Sequence, residues 1–190
     1  MKTTFLPAFR LLLVLTVLTG VLYPLGMTLL TQIIFPYQSN GSLIQKNGTV
    51  IGSELIGQQI TGDKYFHPRP SAIDYAPMPS SGTNWGPTDR RMRDSVIARS
   101  SRFIALNHLP AGTIVPKEML FASGSGVDPH ISPEAARMQI ERIAAVRGFT
   151  KEQTAAVKKI VEKLSEGPQL QLFGDPRVNV LKLNIALDGL

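Results

Sequence analysis

From Leu11 to Ile34 the chain reads LLLVLTVLTGVLYPLGMTLLTQII, apolar throughout. These 24 residues form a helix ~36 Å long at ~1.5 Å per residue. A bilayer's hydrocarbon core is ~30 Å thick, so the run predicts one tilted membrane-spanning helix. A cleaved signal peptide has a shorter apolar core and then a small-residue cleavage site. Here the run continues through Leu22, Leu25, Met27, Leu29 and Ile33, and no A-x-A pattern follows. Pro24 lies mid-run and lacks a backbone donor, which predicts a kink. Thr16 and Gly20, four apart, make a small-xxx-small pair that lets another helix approach closely.

Beyond residue 35 the apolar segments shorten and change period. Leu43–Lys46 and Thr49–Ile51 flank Asn47-Gly48, the signature of a hairpin with a type I′ turn. Residues 65–87 are rich in proline and glycine and read as one long loop, a kind that is usually functional or partner-bound. A helix is expected over Asp89–Leu106, with Thr88 as N-cap and Met92, Val96, Phe103 and Ile104 on one face. Val115 to Phe121 reads as a connector with strand character. Ser132 and Pro133 are N-cap and first residue of the next helix, whose stripe is Ala136, Ile140, Ile143 and Ala144 and whose stop is Gly148. Thr150 and Gln153 form a capping box for a third helix, with Val157, Ile160, Val161 and Leu164 inward. Gln169–Phe173 and Val178–Leu187 read as strands, the second alternating at Leu181, Leu183, Ile185 and Leu187 after a bulge near Val180. The fold class expected is α+β: a single N-terminal transmembrane helix followed by one mixed α/β exported domain. The divisions are 1–10 cytoplasmic, 11–34 membrane-spanning and 35–190 exported.

Charge sets the orientation. Residues 11–45 hold no charge, while Lys2 and Arg10 precede the span with no acid beside them. The positive-inside rule keeps that end in the cytoplasm and sends the rest to the periplasm or the cell exterior. The net charge of +6 then does not point to nucleic acid. Arg90, Arg91, Arg93, Arg99 and Arg102, set against Asp89 and Asp94, form a solvated helix face or meet an acidic partner or lipid headgroups. The absence of cysteine excludes a disulfide scaffold and a thiolate metal site.

Catalytic chemistry is sparse. His67, His108 and His130 are the only histidines, and no HExxH, GxSxG, P-loop or GxGxxG string occurs. No metal site and no catalytic set is expected. Ser123-Gly-Ser-Gly-Val-Asp-Pro-His130 leads into the helix at Ser132 and looks like an anion cradle. Asp128 and Glu134 already complement that helix end, so a turn and cap is the better reading. Arg69 and Asp128 are expected to pair and fasten the long loop to the helix start, with Ser71, His130 and Ser132 at the same junction. Two rival classes remain. One is an anchored exported hydrolase using Ser123 or Ser125 with a histidine, since triads assemble in space. The other is an exported binding module acting alone.

Four strings carry a resemblance: Tyr65-Phe-His-Pro-Arg-Pro-Ser-Ala72, Ser81-Gly-Thr-Asn-Trp-Gly-Pro87, Ala122 to Ala136 (ASGSGVDPHISPEAA) and Gly174 to Leu187 (GDPRVNVLKLNIAL). Together with the single N-terminal span, and in this order, the chain resembles the C subunit of the bacterial Kdp-type potassium-transporting ATPase. It departs at 80–86, where SSGTNWG stands in place of a Ser-Gly-Gly-Ser-Asn-Leu-Gly run. The resemblance implies a non-catalytic subunit of an inner-membrane potassium pump, stabilising the assembly and raising the ATPase subunit's affinity for ATP. Its implied partners are the P-type ATPase catalytic subunit, a channel-like potassium-binding subunit, a small single-span subunit and membrane lipid, with no nucleic acid. Potassium is the ion transported by such a complex. ATP enters through the ATPase subunit, and candidate nucleotide or partner contacts on this chain are Ser123, Gly124, Ser125, Gly126 and Gln139.

Overall fold

The apolar run forms a long helix in three pieces: α1 (Lys2–Val17), a π-helical turn (Leu18–Leu22) and α2 (Tyr23–Ile34). This is a computed structural model, and it describes residues 2–76 and 78–190. The chain divides into two units, Met1–Ile51 and Gly52–Leu190. Thr4–Ile34 is 31 residues long, contains an 18-residue stretch of mean hydropathy 2.1 and has no buried side chain. The expected disturbance at Pro24 takes the form of the π-helical turn just before it. Tyr23 N–H reaches back to Leu18 O, one residue further than in an α-helix. A Cβ on Gly20 would meet only Thr16 Cγ2, at 3.9 Å, so the Thr16–Gly20 groove is open.

A four-residue helix α3 (Pro36–Ser39) precedes the hairpin of β1 (Leu43–Lys46) and β2 (Thr49–Ser53). Asn47 and Gly48 have φ of +52° and +78°, the pair of positive angles that a type I′ turn demands.

In the second unit, the described residues between Ser53 and Arg90 form no helix or strand. Then come α4 (Arg90–Leu106), α5 (Lys117–Leu120), β3 (His130–Ile131), α6 (Pro133–Arg147), α7 (Lys151–Leu164), β4 (Ser165–Glu166), β5 (Arg177–Asn179) and α8 (Val180–Leu187). The sheet order is β3-β5-β4, antiparallel throughout, with Ile131 and Ser165 both opposite Val178. The core gathers Ile140 and Ile143 of α6, Val157 and Val161 of α7, Leu183 and Leu187 of α8, with Ile131, Val178, Phe66 and Phe103. Each such side chain gains ~1.5–3 kcal/mol from leaving water. The α6 and α7 caps fall where the sequence puts them: Ser132 Oγ accepts from Ala135 N, Gly148 has φ +65°, and the Thr150–Gln153 box closes in both directions.

Four expectations are corrected. The N-cap of α4 is Asp89, which accepts from Arg91 N, and not Thr88. The connector after Val115-Pro116 is one helical turn, α5, whose buried residue is Met119. The long final strand is a three-residue strand followed by a helix. Asn179 caps that helix by accepting from Lys182 N, and its buried residues are Val180, Leu183, Asn184 and Leu187, a 3–4 spacing that only a helix puts on one face. The phase break at Val180 is a change from strand to helix, not a bulge. Gln169 and Phe173 pair as an isolated bridge around a turn rather than as part of a strand.

Candidate functional site

The loop from Glu54 to Asp89 has no ladder of its own, so other parts of the chain must satisfy its backbone. Two side-chain amides do so for Phe66 and His67. Asn184 accepts from Phe66 N at 2.8 Å and donates to Phe66 O at 3.0 Å. Gln139 accepts from His67 N at 2.7 Å and donates to His67 O at 3.2 Å. Each carboxamide therefore replaces a neighbouring strand. Phe66 is then completely buried.

Arg142 fastens the segment just before it. Its Nε donates to Asn107 Oδ1 at 2.9 Å, and its Nη2 to Tyr65 O at 2.9 Å and Gln139 Oε1 at 3.0 Å. Its Nη1 donates to Asp63 O. Arg142 is 1% exposed, and this burial pushes its pKa down. Arg147 lies over the Tyr65 ring and donates to Lys64 O and Asp188 Oδ1, both at 2.8 Å.

The second half of the loop meets the SGSG segment and the approach to α6. Arg69 Nη1 is 2.6 Å from Asp128 Oδ2. Asp128 Oδ1 accepts from His130 N at 3.0 Å. Burial alone would raise the Asp128 pKa; the hydrogen bonds from His130 and Arg69 outweigh it and lower it to about 2. Ser71 Oγ donates to Gly126 O at 2.7 Å and accepts from Ile73 N and Tyr75 N. Tyr75 OH donates to Arg69 O at 2.5 Å, and its pKa is pushed up by burial and then by the Asp128 charge. Ser123 N donates to Pro70 O, and Ser80 Oγ to Ser125 O. Gly126 has φ +74°, and a Cβ there would lie 2.5 Å from Ile73 Cγ1. The segment is thus a seat shaped for the loop.

The candidate residues therefore fall into separate places. Arg69, Ser71, Ser123, Ser125, Gly126, Asp128 and His130 form one junction, and Ser132 caps α6 next to it. Gly124 O faces Gly82, at 3.2 Å from a Cβ built there. Gln139 is fully buried, with its amide engaged by His67 and Arg142. Thr16, Gly20 and Pro24 belong to the other unit. Among the described residues no serine hydroxyl bonds to a histidine; Ser125 Oγ accepts from Val127 N. The residues that sequence reasoning missed are Arg142, Asn184 and Asn107. No local pattern marks them: Arg142 lies off the Ala136, Ile140, Ile143 and Ala144 stripe, on the side of α6 that carries Gln139, and its partners Asp63, Tyr65 and Asn107 are distant in sequence.

Beside the junction is an open cleft of about 250 Å³ whose charged lining includes Arg69, Asp74, Arg99 and Arg102. His67 also lines it, with a pKa lowered by burial and then by the Arg142 charge. On α4, Arg91 pairs with Asp89 at 2.8 Å, and Arg99 donates to Leu120 O at 2.9 Å.

Comparison with known proteins bears out the motif resemblance. The family described as KdpC, K+-transporting ATPase, c chain, matches residues 5–189. The Potassium-transporting ATPase KdpC subunit of Paraburkholderia phymatum is 47% identical over 193 residues, covering 99% of this chain and 97% of that protein. Its namesake in Rhodospirillum rubrum is 47% identical over 190 residues, with coverage of 99% and 96%. The Mycobacterium tuberculosis protein of the same name is 44% identical over 192 residues and covers both chains completely. Nothing in these matches supports a hydrolase or a free-standing binding module, and with nearly every residue aligned the chain belongs to the KdpC family.

Proposed function

We propose that this chain is the non-catalytic accessory subunit of an ATP-driven potassium import complex in the bacterial inner membrane. The observation that carries the reading is a 31-residue, largely apolar helix with no buried side chain on a chain of the KdpC family. Such a helix needs lipid or partner helices around it. Its N-terminus lies in the cytoplasm and the unit from Gly52 onward lies on the far side. The partners are the P-type ATPase catalytic subunit, the channel-like potassium-binding subunit and the small single-span subunit. Potassium is the cargo, and the ATPase subunit hydrolyses the ATP.

The effect on ATP affinity is indirect. A P-type ATPase binds nucleotide in the cytoplasm, and ~30 Å of hydrocarbon separates that site from an exported unit. The engagement of Ser123–Gly126 and Gln139 within the chain's own fold supports this. The subunit acts by contacting two states of its partner unequally.

Purification of the complex in mild detergent tests the proposal. The chain is expected to co-elute with the ATPase subunit, and its removal to raise the KM for ATP while kcat is retained. Protease added to intact spheroplasts is expected to cleave the C-terminal unit. A lone monomer, or a C-terminal unit that stays protected, would overturn the reading.

A further inference from the structure

The bend in the N-terminal helix leaves the Thr19 carbonyl open, beside the Gly20 carbonyl whose α-register donor, residue 24, is the proline. A helical carbonyl at Thr19 is reached by the amide of residue 23 in α-register or of residue 24 in π-register. Tyr23 N–H goes to Leu18 O instead, and residue 24 is a proline without an N–H. The Thr19 hydroxyl is no substitute, because it donates to Leu15 O at 2.7 Å. No side chain among the described residues donates to Thr19 O. Thr19 stands midway along Thr4–Ile34, so in a bilayer this carbonyl lies near the midplane, where water does not reach. The open Thr16–Gly20 groove borders it, and a Cβ on Gly20 would meet only Thr16 Cγ2, at 3.9 Å.

We propose that the Thr19 carbonyl docks one hydrogen-bond donor (a Ser, Thr, Asn, Gln, Trp or Lys side chain) from a transmembrane helix of another subunit. Charge complementarity carries the choice: a fixed partial negative charge in hydrocarbon calls for a donor, which a lipid chain does not offer. A second copy of this chain is the source that the test must exclude: its Thr19, Thr28 and Thr31 hydroxyls already donate to carbonyls of their own helix, but among the described residues the Thr16 hydroxyl does not. The proposal rests on the reading of Thr4–Ile34 as a retained bilayer span.

The chain has no cysteine, so single-cysteine variants carry a photocrosslinker cleanly. In the intact complex, the probe on Thr16→Cys is expected to capture a partner helix with a polar donor at that depth. The probe on Val14→Cys, on the opposite face, is expected to miss that segment. Substituting the mapped donor by Ala is expected to lower recovery of the complex by about 3- to 15-fold. Pro24→Ala restores an amide that closes the helix on itself, so in that background the donor substitution is expected to cost nothing further. Equal losses in both backgrounds would overturn the proposal, as would Thr16→Cys adducts confined to lipid or to a second copy. Reaction of Thr16→Cys with a membrane-impermeant maleimide in spheroplasts would instead overturn the span reading.

Discussion

Replacing Arg142 by Met keeps a long apolar stem and deletes the guanidinium. The side chain is 1% exposed and bonds Asn107 Oδ1, Tyr65 O, Gln139 Oε1 and Asp63 O. Hydrogen bonds from a charged donor each contribute ~1.5–3 kcal/mol, but adding up four overstates the case, because burying the charge has its own cost. The acceptors left behind decide the size of the effect. Gln139 Oε1 keeps His67 N as a donor. Asn107 is 2% exposed and loses the one partner that its Oδ1 has among the described residues, while the Asp63 and Tyr65 carbonyls lose Arg142 in a more open part of the loop. At ~1–3 kcal/mol for each desolvated orphan, Arg142→Met is expected to cost about 3–5 kcal/mol. That is a large share of the ~5–15 kcal/mol that holds a typical protein folded. Two of the lost bonds end on the loop, so the loop is expected to loosen before the helices do. The assay is urea unfolding of the full chain in mild detergent, alongside tryptic cleavage after Lys64. Arg142→Lys keeps the charge without the fork and is expected to fall between the two. A loss below ~1 kcal/mol with unchanged cleavage rates would refute the reasoning.

Three further outcomes follow from the same contacts. Stability is expected to fall on acidification in two stages: His67, whose pKa is lowered in the fold, charges in the unfolded chain below its ordinary 6.5. Asp128 then adds a loss between 3.8 and about 2, worth about 2 kcal/mol, and Asp128→Asn is expected to remove only that lower stage in pH-dependent unfolding. Gly126→Ala forces a Cβ to 2.5 Å from Ile73 Cγ1 at φ +74°, so urea unfolding is expected to show a loss of about 2–4 kcal/mol. Asn179→Ala removes the α8 cap and the bond to Glu54 O; a loss of about 1–2 kcal/mol and faster hydrogen exchange at Lys182 are expected.

Elements set by local chemistry were readable from residue types. The α6 and α7 caps, the positive angles of Asn47 and Gly48 and the long apolar helix all depend on side chains within four positions of one another. The last stretch was not readable in this way. Leu181, Leu183, Ile185 and Leu187 alternate as in a strand, yet Leu183, Asn184 and Leu187 are what the core buries. The polar Asn184 concealed the helical face, because its partner, Phe66, lies 118 positions away. Arg142 and Gln139 were obscure for the same reason: polar groups on an inward face make sense only once the loop they hold is in place. The Arg69–Asp128 pair was legible because opposite charges beside a cap suggest each other, whereas the π-helical turn before Pro24 depends on how the backbone shares out its donors.

The Asn184 clamp also has a temporal meaning. A ribosome delivers Phe66 more than a hundred residues before the Asn184 carboxamide that will grip it. Until the final helix is made, the Phe66 backbone has no carboxamide to hold it, although α6 can already engage its neighbours Tyr65 and His67 through Arg142 and Gln139. Closure of so distant a contact is slow compared with helix formation. A premature stop codon just before Asn184 would therefore remove very little mass and still strip Phe66 of both hydrogen bonds that the carboxamide makes to its backbone.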